Sequence, residues 1–395
     1  MSIARGVVSS WQAIGARPVR VSATEPIAMV LVSNEVEENE MRYFDSLPKA
    51  LAHYLGERDF EDIAKISQNG EFKGNLFKYL FWANNKFEVV VPTVISVAKH
   101  SEDESELKTN IINAIADLKN VPGDFNIRPD IISVPDFTVD LDIANQYLAT
   151  INILKARGFI DLDATDGSDA IKKRGHFGSE RLTPVFTNLI DWNTLTDSED
   201  EYSANFVLSI LRCVVDGSDL TTSVGWSYSL SNKTLPVKQA KNKAQFIMGL
   251  PDETDLLTNN QITSFIAYNG IRVWNYQTTS PDSLLQDARR VRIFDKLSMA
   301  VLDAIFPFID SDRGVYAVKE AKDTIKAFCA DMIGKRVLIG TNIYLDEDLT
   351  TPTAITEGKF YFKVEAQENP APTLISVEFD RVDKFSPIIY KIINS

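Results

Sequence analysis

The chain has 395 residues, enough for two or three domains with separate cores, and its 44% apolar and 24% charged residues are those of a soluble globular protein. A net charge of −14 argues against nucleic acid as the main partner, because phosphate binding needs a basic footprint, and favours solubility before assembly. No run approaches the roughly 20 apolar residues of a membrane helix, and the stretch from Met1 to Gly15 lacks the apolar core of a signal peptide, so a cytoplasmic product without a membrane partner is expected. Cys213 and Cys329 lie far apart with no metal-ligand spacing and read as small buried residues, not a disulfide.

Residues 1–22 read as an arm. Gly6, Gly15 and Pro18 break any regular element, while Val19 and Val21 alternate with Arg20 and Ser22 as a strand that could pair but not fold alone. Ile27 to Ser33 is a continuous apolar run, the mark of a buried strand, and an acidic loop follows over Glu35 to Glu40. A helix is predicted from Leu47 to Leu55, started by Ser46-Leu47-Pro48, and a short aromatic-rich one from Leu76 to Trp82. Val89 to Val91 begins a buried strand that Pro92 interrupts, Glu102 to Glu106 reads as an exposed acidic loop, and Leu107 to Leu118 as an amphipathic helix. Strands at Arg128–Pro135 and Phe159–Leu162 flank a predicted helix over Leu141–Arg157. This alternation, from Ile27 to about Leu250, is the signature of a layered α/β domain.

Leu256 to Ser280 reads as two short strands and a turn, with Asn269-Gly270 as the hairpin signal. A long helix is expected from Asp282 to Phe306, with Arg289, Arg290 and Arg292 in its first half and Leu297, Ala300, Val301 and Ala304 as its apolar face. The next, from Val315 to Ile333, buries Val318, Ala321, Ile325, Phe328 and Met332 at helical spacing, and Gly334 is its expected C-terminal glycine. Lys319, Lys322 and Lys326 form a parallel basic stripe: the wet side of the helix, or a contact for an acidic partner. Phe360 to Glu365 is a half-buried strand, and Glu368 to Pro372 a stiff extended linker. Ile375, Val377 and Phe379 then alternate with Ser376, Glu378 and Asp380 as a second strand.

Catalytic signals are thin. His176 lies three residues from Ser179, but Gly178-Ser179-Glu180 is not a nucleophile elbow. Asp161-Leu162-Asp163-Ala164-Thr165 follows an apolar strand, as the nucleophile motif of haloacid-dehalogenase-type phosphatases does; that motif normally lies on a first strand, and the plain reading here is a solvated acidic loop. As a calcium loop the stretch fails, because Gly167 is one place late and Lys172 stands where a glutamate is needed. Lys172-Lys173-Arg174 reads as a solvated basic turn, and no glycine-rich phosphate loop is present. No catalytic, metal or cofactor residue is assigned.

Several short motifs occur in a recognisable order. They are Gly6-Val7 and Gly15-Ala16-Arg17-Pro18 before Ile27-Ala28; Gly178 to Leu182 with Asp191-Trp192; Gly225-Trp226-Ser227 with Ser231-Asn232-Lys233; Leu256-Leu257 with Asn269 to Trp274; and Arg290-Val291-Arg292. Together they resemble the sheath proteins of contractile bacteriophage tails and R-type bacteriocins, although of that family's usual Gly-Asn-Arg-Thr continuation only Thr278 fits. The resemblance implies an α/β chain, α+β overall. It would comprise an N-terminal arm (1–22), an outer layered domain called subtilisin-like for its fold (23–255), an inner C-terminal α+β domain (256–367), and a linker with a C-terminal β-arm (368–395). It implies a structural, non-enzymatic subunit that polymerises as stacked hexameric rings around a tail tube and contracts to drive the tube through a target envelope. The particle would be a phage tail or a bacteriocin, assembled in the host cytoplasm. The implied partners are further copies of the chain, the tail tube protein, and baseplate and tail terminator proteins, with no nucleic acid, membrane or cofactor. Val19, Val21, Ile375, Val377 and Phe379 would form the inter-subunit strand arms, and Lys319, Lys322 and Lys326 would meet the tube. A haloacid-dehalogenase-like phosphatase and a non-contractile virion structural protein are the alternatives.

Overall fold

The computed structural model describes residues 26–87, 90–219, 221–222 and 224–382, together with Lys384, Ile388 and Ile392. Val19, Val21 and the rest of the expected N-terminal arm lie outside the described residues.

Ile27–Ser33 is buried along its whole length and forms the centre of a mixed sheet. It pairs in parallel with Thr93–Lys99 on one side and Ile131–Ser133 on the other, and Glu40–Phe44 closes the far edge antiparallel to Thr93–Lys99. A parallel bridge from Ile131 to Arg157 carries the sheet on to Gly158–Asp161, which pairs in parallel with Leu182–Val185. A further bridge joins Val185 to Thr263 and so to the Ser264–Ala267 strand. Both faces are covered, which is why the central strand is an unbroken apolar run and not an alternating one. Ile27, Met29 and Leu31 pack against the Leu47–Leu55, Leu76–Lys86 and Ala204–Gly217 helices; Ala28, Val30 and Val32 meet Glu104–Asp117 and Leu141–Leu154. The chain is therefore mixed α/β with several smaller sheets.

The hairpin forms as expected. Ser264–Ala267 pairs with Ile271–Trp274 around Asn269 (φ 50°) and Gly270 (φ 100°), both in the left-handed region that those residue types tolerate. Leu256-Leu257 does not open its first strand. Asp252 and Asp255 form a reciprocal capping box that starts a helix, Glu253–Asn259, over those leucines.

Other expectations are corrected. The acidic loop ends early, because Glu40 begins a strand. Of the strand placed at Val89–Val91, Val89 lies outside the described residues, and Val90 and Val91 precede the strand itself, which starts at Thr93 after Pro92. Glu102–Glu106 is not simply loop, since Asp103 caps a helix whose first turn holds Glu104 and Glu106. Lys172, Lys173 and Arg174 are the last turn of the Gly167–Arg174 helix, where cations offset the helix dipole. Beyond the Val315–Gly334 helix the left-handed residue is Arg336 (φ 62°), not Gly334.

The last third builds its own smaller core. Ile293, Leu297 and Ala300 of the Ala288–Ile305 helix pack on Phe328 and Met332 of the Val315–Gly334 helix, and on Val224, Trp226, Val337 and Leu338. A two-stranded antiparallel sheet, Leu338–Leu345 with Phe362–Glu368, lies beside them. Its second strand starts two residues later than expected and runs to Glu368, so the linker begins at Asn369. Residues 375–380 form no strand within the single chain, and from Leu374 to Phe379 the apolar side chains are 66% to 92% exposed.

Candidate functional site

The Ala204–Gly217 helix is buried almost all round, yet carries Arg212 and Asp216 one turn apart. Such charges survive in a core only when paired. Asp216 is shared. Arg212 Nε reaches its Oδ1 at 2.8 Å, and Arg292, from the Ala288–Ile305 helix, binds both its oxygens at 2.6 Å. Arg292 also reaches Asp130 at 2.6 Å, and Lys296, one turn on, meets the same carboxylate at 3.2 Å.

Burial opposes the charge on Arg292, but Asp216 and Asp130 outweigh it and raise its pKa well above the usual value. Burial likewise opposes ionisation of Asp130, and the charges of Lys296, Arg292 and Arg157 overcome it, holding the carboxyl far below the usual range. A second node sits beside the first. Arg181 grips both oxygens of Asp295 at 2.6 and 2.9 Å, and Arg157 donates to the same carboxylate.

Three motifs that look unrelated in sequence converge here. Gly225 abuts the end of the Ala204–Gly217 helix so closely that a Cβ would lie 2.4 Å from the Val215 and Asp216 carbonyl oxygens. The Gly225 and Tyr228 carbonyls accept from Arg212 at 2.9 and 2.6 Å. Arg289 donates to the Ser227 carbonyl at 2.7 Å and the Asn369 carbonyl at 2.9 Å, while Arg290 pairs with Glu368 at 2.6 Å. Asn369 is held further by its amide on the Val337 carbonyl at 2.9 Å and its side chain on the Arg336 carbonyl at 3.1 Å. Gly178–Leu182, Gly225–Ser227 and Arg290–Arg292 thus lock the central-sheet layers to the last third of the chain, and clamp the last residues before Pro370.

Sequence reading missed Asp130, Arg157, Arg212, Asp216 and Asp295. The available signal was Asn205, Ser209, Arg212 and Asp216 at spacings of four, three and four in a run otherwise apolar. The expected contact residues stand apart from this junction. Lys319 and Lys326 face solvent and Lys322 is half-buried, and none makes an ion pair among the described residues. Ile375, Val377 and Phe379 lie exposed beyond the clamp.

Asp161 is not in a solvated loop. It is buried at the end of its strand, where its carboxylate accepts from Ser203 Oγ and, at 2.8 Å, from the Asn205 amide in the first turn of the Ala204–Gly217 helix. Asp163 is turned away to Lys241 at 2.9 Å. The carboxylate that a phosphatase would need as nucleophile is thus taken up as a helix cap, and among the described residues no group of three His, Cys, Asp or Glu could hold a metal.

Burial pushes the Asp161 carboxyl up to about 7. The folded chain therefore keeps this proton at pH values where the unfolded chain has released it. Its contribution to stability is greatest below about pH 4 and is lost as pH rises toward 7. Asp161→Asn should flatten this part of the profile. Between pH 4 and 7 the wild type should lose up to roughly 4 kcal/mol relative to the variant in urea unfolding.

No protein-family model matches the chain. A prophage protein of Pseudomonas aeruginosa (strain UCBPP-PA14), described as a major tail sheath protein, is 25% identical over 250 residues, covering 62% of this chain. That alignment spans 63% of the relative, less than two thirds of its length. The major tail sheath protein of Serratia phage KSP20 is 24% identical over 76% of this chain and 78% of its own, and the tail sheath protein of Escherichia phage P2 is 20% identical over 68% and 67%. Among solved structures, the helical sheath of the anti-feeding prophage in its contracted state matches at a TM-score of 0.67 and 14% identity, covering 97% of this chain and 100% of that one. The sheath complex of an extracellular contractile injection system, also contracted, matches at 0.64 and 12%, covering 97% and 99%. At these identities the structural matches speak to the fold.

Proposed function

We propose that this chain, which belongs to the contractile tail sheath protein family, is the subunit of a contractile tail sheath. Copies of it would stack as six-membered rings around a tail tube, between a baseplate and a terminator, and contract to drive the tube through a target envelope. The observation that carries the reading is the segment after the clamp. Alternate apolar residues there are largely exposed, directly beyond a residue held by three hydrogen bonds and two prolines that keep the chain extended. A segment of this kind completes itself by adding to the sheet edge of another copy, where main-chain hydrogen bonds are satisfied and the apolar side chains are covered.

The packing supports a division of labour. Phe265, Val273, Tyr276 and Ala288 share the large core of the central sheet. We therefore place the start of the inner body after Ala288, later than the boundary at residue 256 suggested by sequence. The outer body would be the layered, subtilisin-like domain. The buried ion pairs would keep the two moving as one unit while Pro370–Pro372 and the arm beyond absorb rotation between neighbours. Lys319, Lys322 and Lys326 would face the tube.

A proline tests the arm without disturbing the fold. Val377→Pro removes a backbone donor from a residue that packs on little in the single chain, so thermal unfolding should be unchanged. Sedimentation should show polymer from wild type and from Val377→Thr, and at least tenfold less from Val377→Pro. Equal polymer from all three would contradict strand addition by this segment.

A further inference from the structure

We propose that the turn Ile247–Leu250 of one copy seats in a groove beside Leu284 and Leu285 of another, a second contact between copies that is independent of the terminal arms. This inference rests on reading the chain as a sheath subunit. The turn is closed by the Leu250 amide on the Ile247 carbonyl at 3.1 Å, with Gly249 at φ 82°, the left-handed value that a type II turn needs at its third residue. It is pinned from behind. The Ile247 amide donates to Asp252 at 2.6 Å, the Gln245 amide to Glu253 at 3.0 Å, and the Phe246 ring packs edge-on to Trp274. Yet Ile247, Met248 and Leu250 point outward, 42%, 64% and 61% exposed. An apolar tip held this firmly loses little freedom on binding, which marks it as a contact surface and not a stray apolar loop.

The groove encloses about 590 Å³. Leu284, Leu285, Val291, Phe294 and Ala366 line it, with Leu284 68% exposed at its edge. A second copy is the occupant that fits. Tip and groove are built from different residues of one chain, so their contact is heterologous and repeats from copy to copy, the kind that closes a ring or extends a helical polymer. A charge of −14 on every copy works against association, so contacts between copies need apolar patches whose own charges are engaged. Both patches meet that condition. Beside the tip, Asp252, Glu253 and Asp255 hold backbone amides, and beside the groove Arg181 is paired with Asp295 and Arg290 with Glu368. Two flanking charges are left over and they are opposite in sign. Lys243, next to the tip, has no ion pair among the described residues, and Glu180, at the groove, has its nearest cation 3.7 Å away in Arg181, which grips Asp295 instead.

The test is cross-linking inside the polymer. Met248 and Leu284 are exposed, so Met248→Cys and Leu284→Cys should leave the fold intact, and the native Cys213 and Cys329 are buried. The two single variants are mixed, polymerised and mildly oxidised. The mixture should give at least tenfold more covalent dimer than either variant alone. In a separate sedimentation assay, Met248→Asp with Leu250→Asp should lower polymer at least about tenfold with an unchanged unfolding midpoint. Polymer from the mixture without mixed dimer overturns this contact and leaves the sheath reading in place. Equal dimer from Met248→Cys alone overturns it too, because the tip would then meet its own copy. Failure of the wild-type chain to polymerise under any condition overturns the sheath reading itself, and this contact with it.

Discussion

Asp216→Asn is expected to destabilise the folded chain by about 3–5 kcal/mol, the usual cost of removing one partner from a buried ionic cluster. Asp216 is the common counter-ion of Arg212 and Arg292, whose side chains are buried almost as completely as its own. Asparagine keeps the shape and one acceptor but leaves two guanidinium groups facing each other in the core. Arg292→Met should cost less, because Asp216 keeps Arg212 and Asp130 keeps Lys296. Denaturant unfolding of the two variants gives the order directly, and a smaller loss for Asp216→Asn than for Arg292→Met would contradict this account of the cluster. The loss should extend to function, because the same cluster positions the Ala288–Ile305 helix whose Arg289 and Arg290 clamp the base of the arm.

Removing residues 370–395 should abolish polymer. From Leu374 to Phe379 the apolar side chains are largely exposed, so the fold loses little packing with them. Against a neighbour, burying Leu374, Ile375, Val377 and Phe379 would contribute about 1.5–3 kcal/mol each. Ordering the same stretch costs about 1–2 kcal/mol per residue, a sum of similar size. Main-chain pairing, and the stiffness that Pro370 and Pro372 give before association, then decide the balance. A single arm contact is weak by this reckoning, and rings in which every subunit both gives and receives an arm are strong. Assembly should therefore set in sharply with concentration for the full chain and not at all for the truncated one.

Much of the fold is legible in the sequence where one local signal suffices. Ile27–Ser33 declares itself by unbroken apolar residues, Leu47–Leu55 by its proline start, and the hairpin by Asn269-Gly270. The Ala204–Gly217 helix is not read although Asn205, Ser209, Arg212 and Asp216 recur at spacings of four, three and four, because that polar stripe is buried and pairs inside the fold in place of facing water. Leu338–Leu345 is missed for the opposite reason, being a half-exposed strand with a glycine and an asparagine inside it. The junction is least legible of all. Asp130, Arg181, Asp216, Arg292 and Glu368 are spread over the length of the chain, and only the folded sheet and the Ala288–Ile305 helix bring them together. Arg290-Val291-Arg292 is visible as a motif, but its partners are not.

Negative-stain electron microscopy of the purified full chain beside the chain ending at Asn369 tests the central claim most directly. Striated hollow tubes from the full chain, with only monomers from the shortened one, are the expected result. Tubes from both would take the arm out of the assembly, and monomers from both, across the range of concentration where the chain stays soluble, would contradict a sheath subunit meshed through its C-terminal segment.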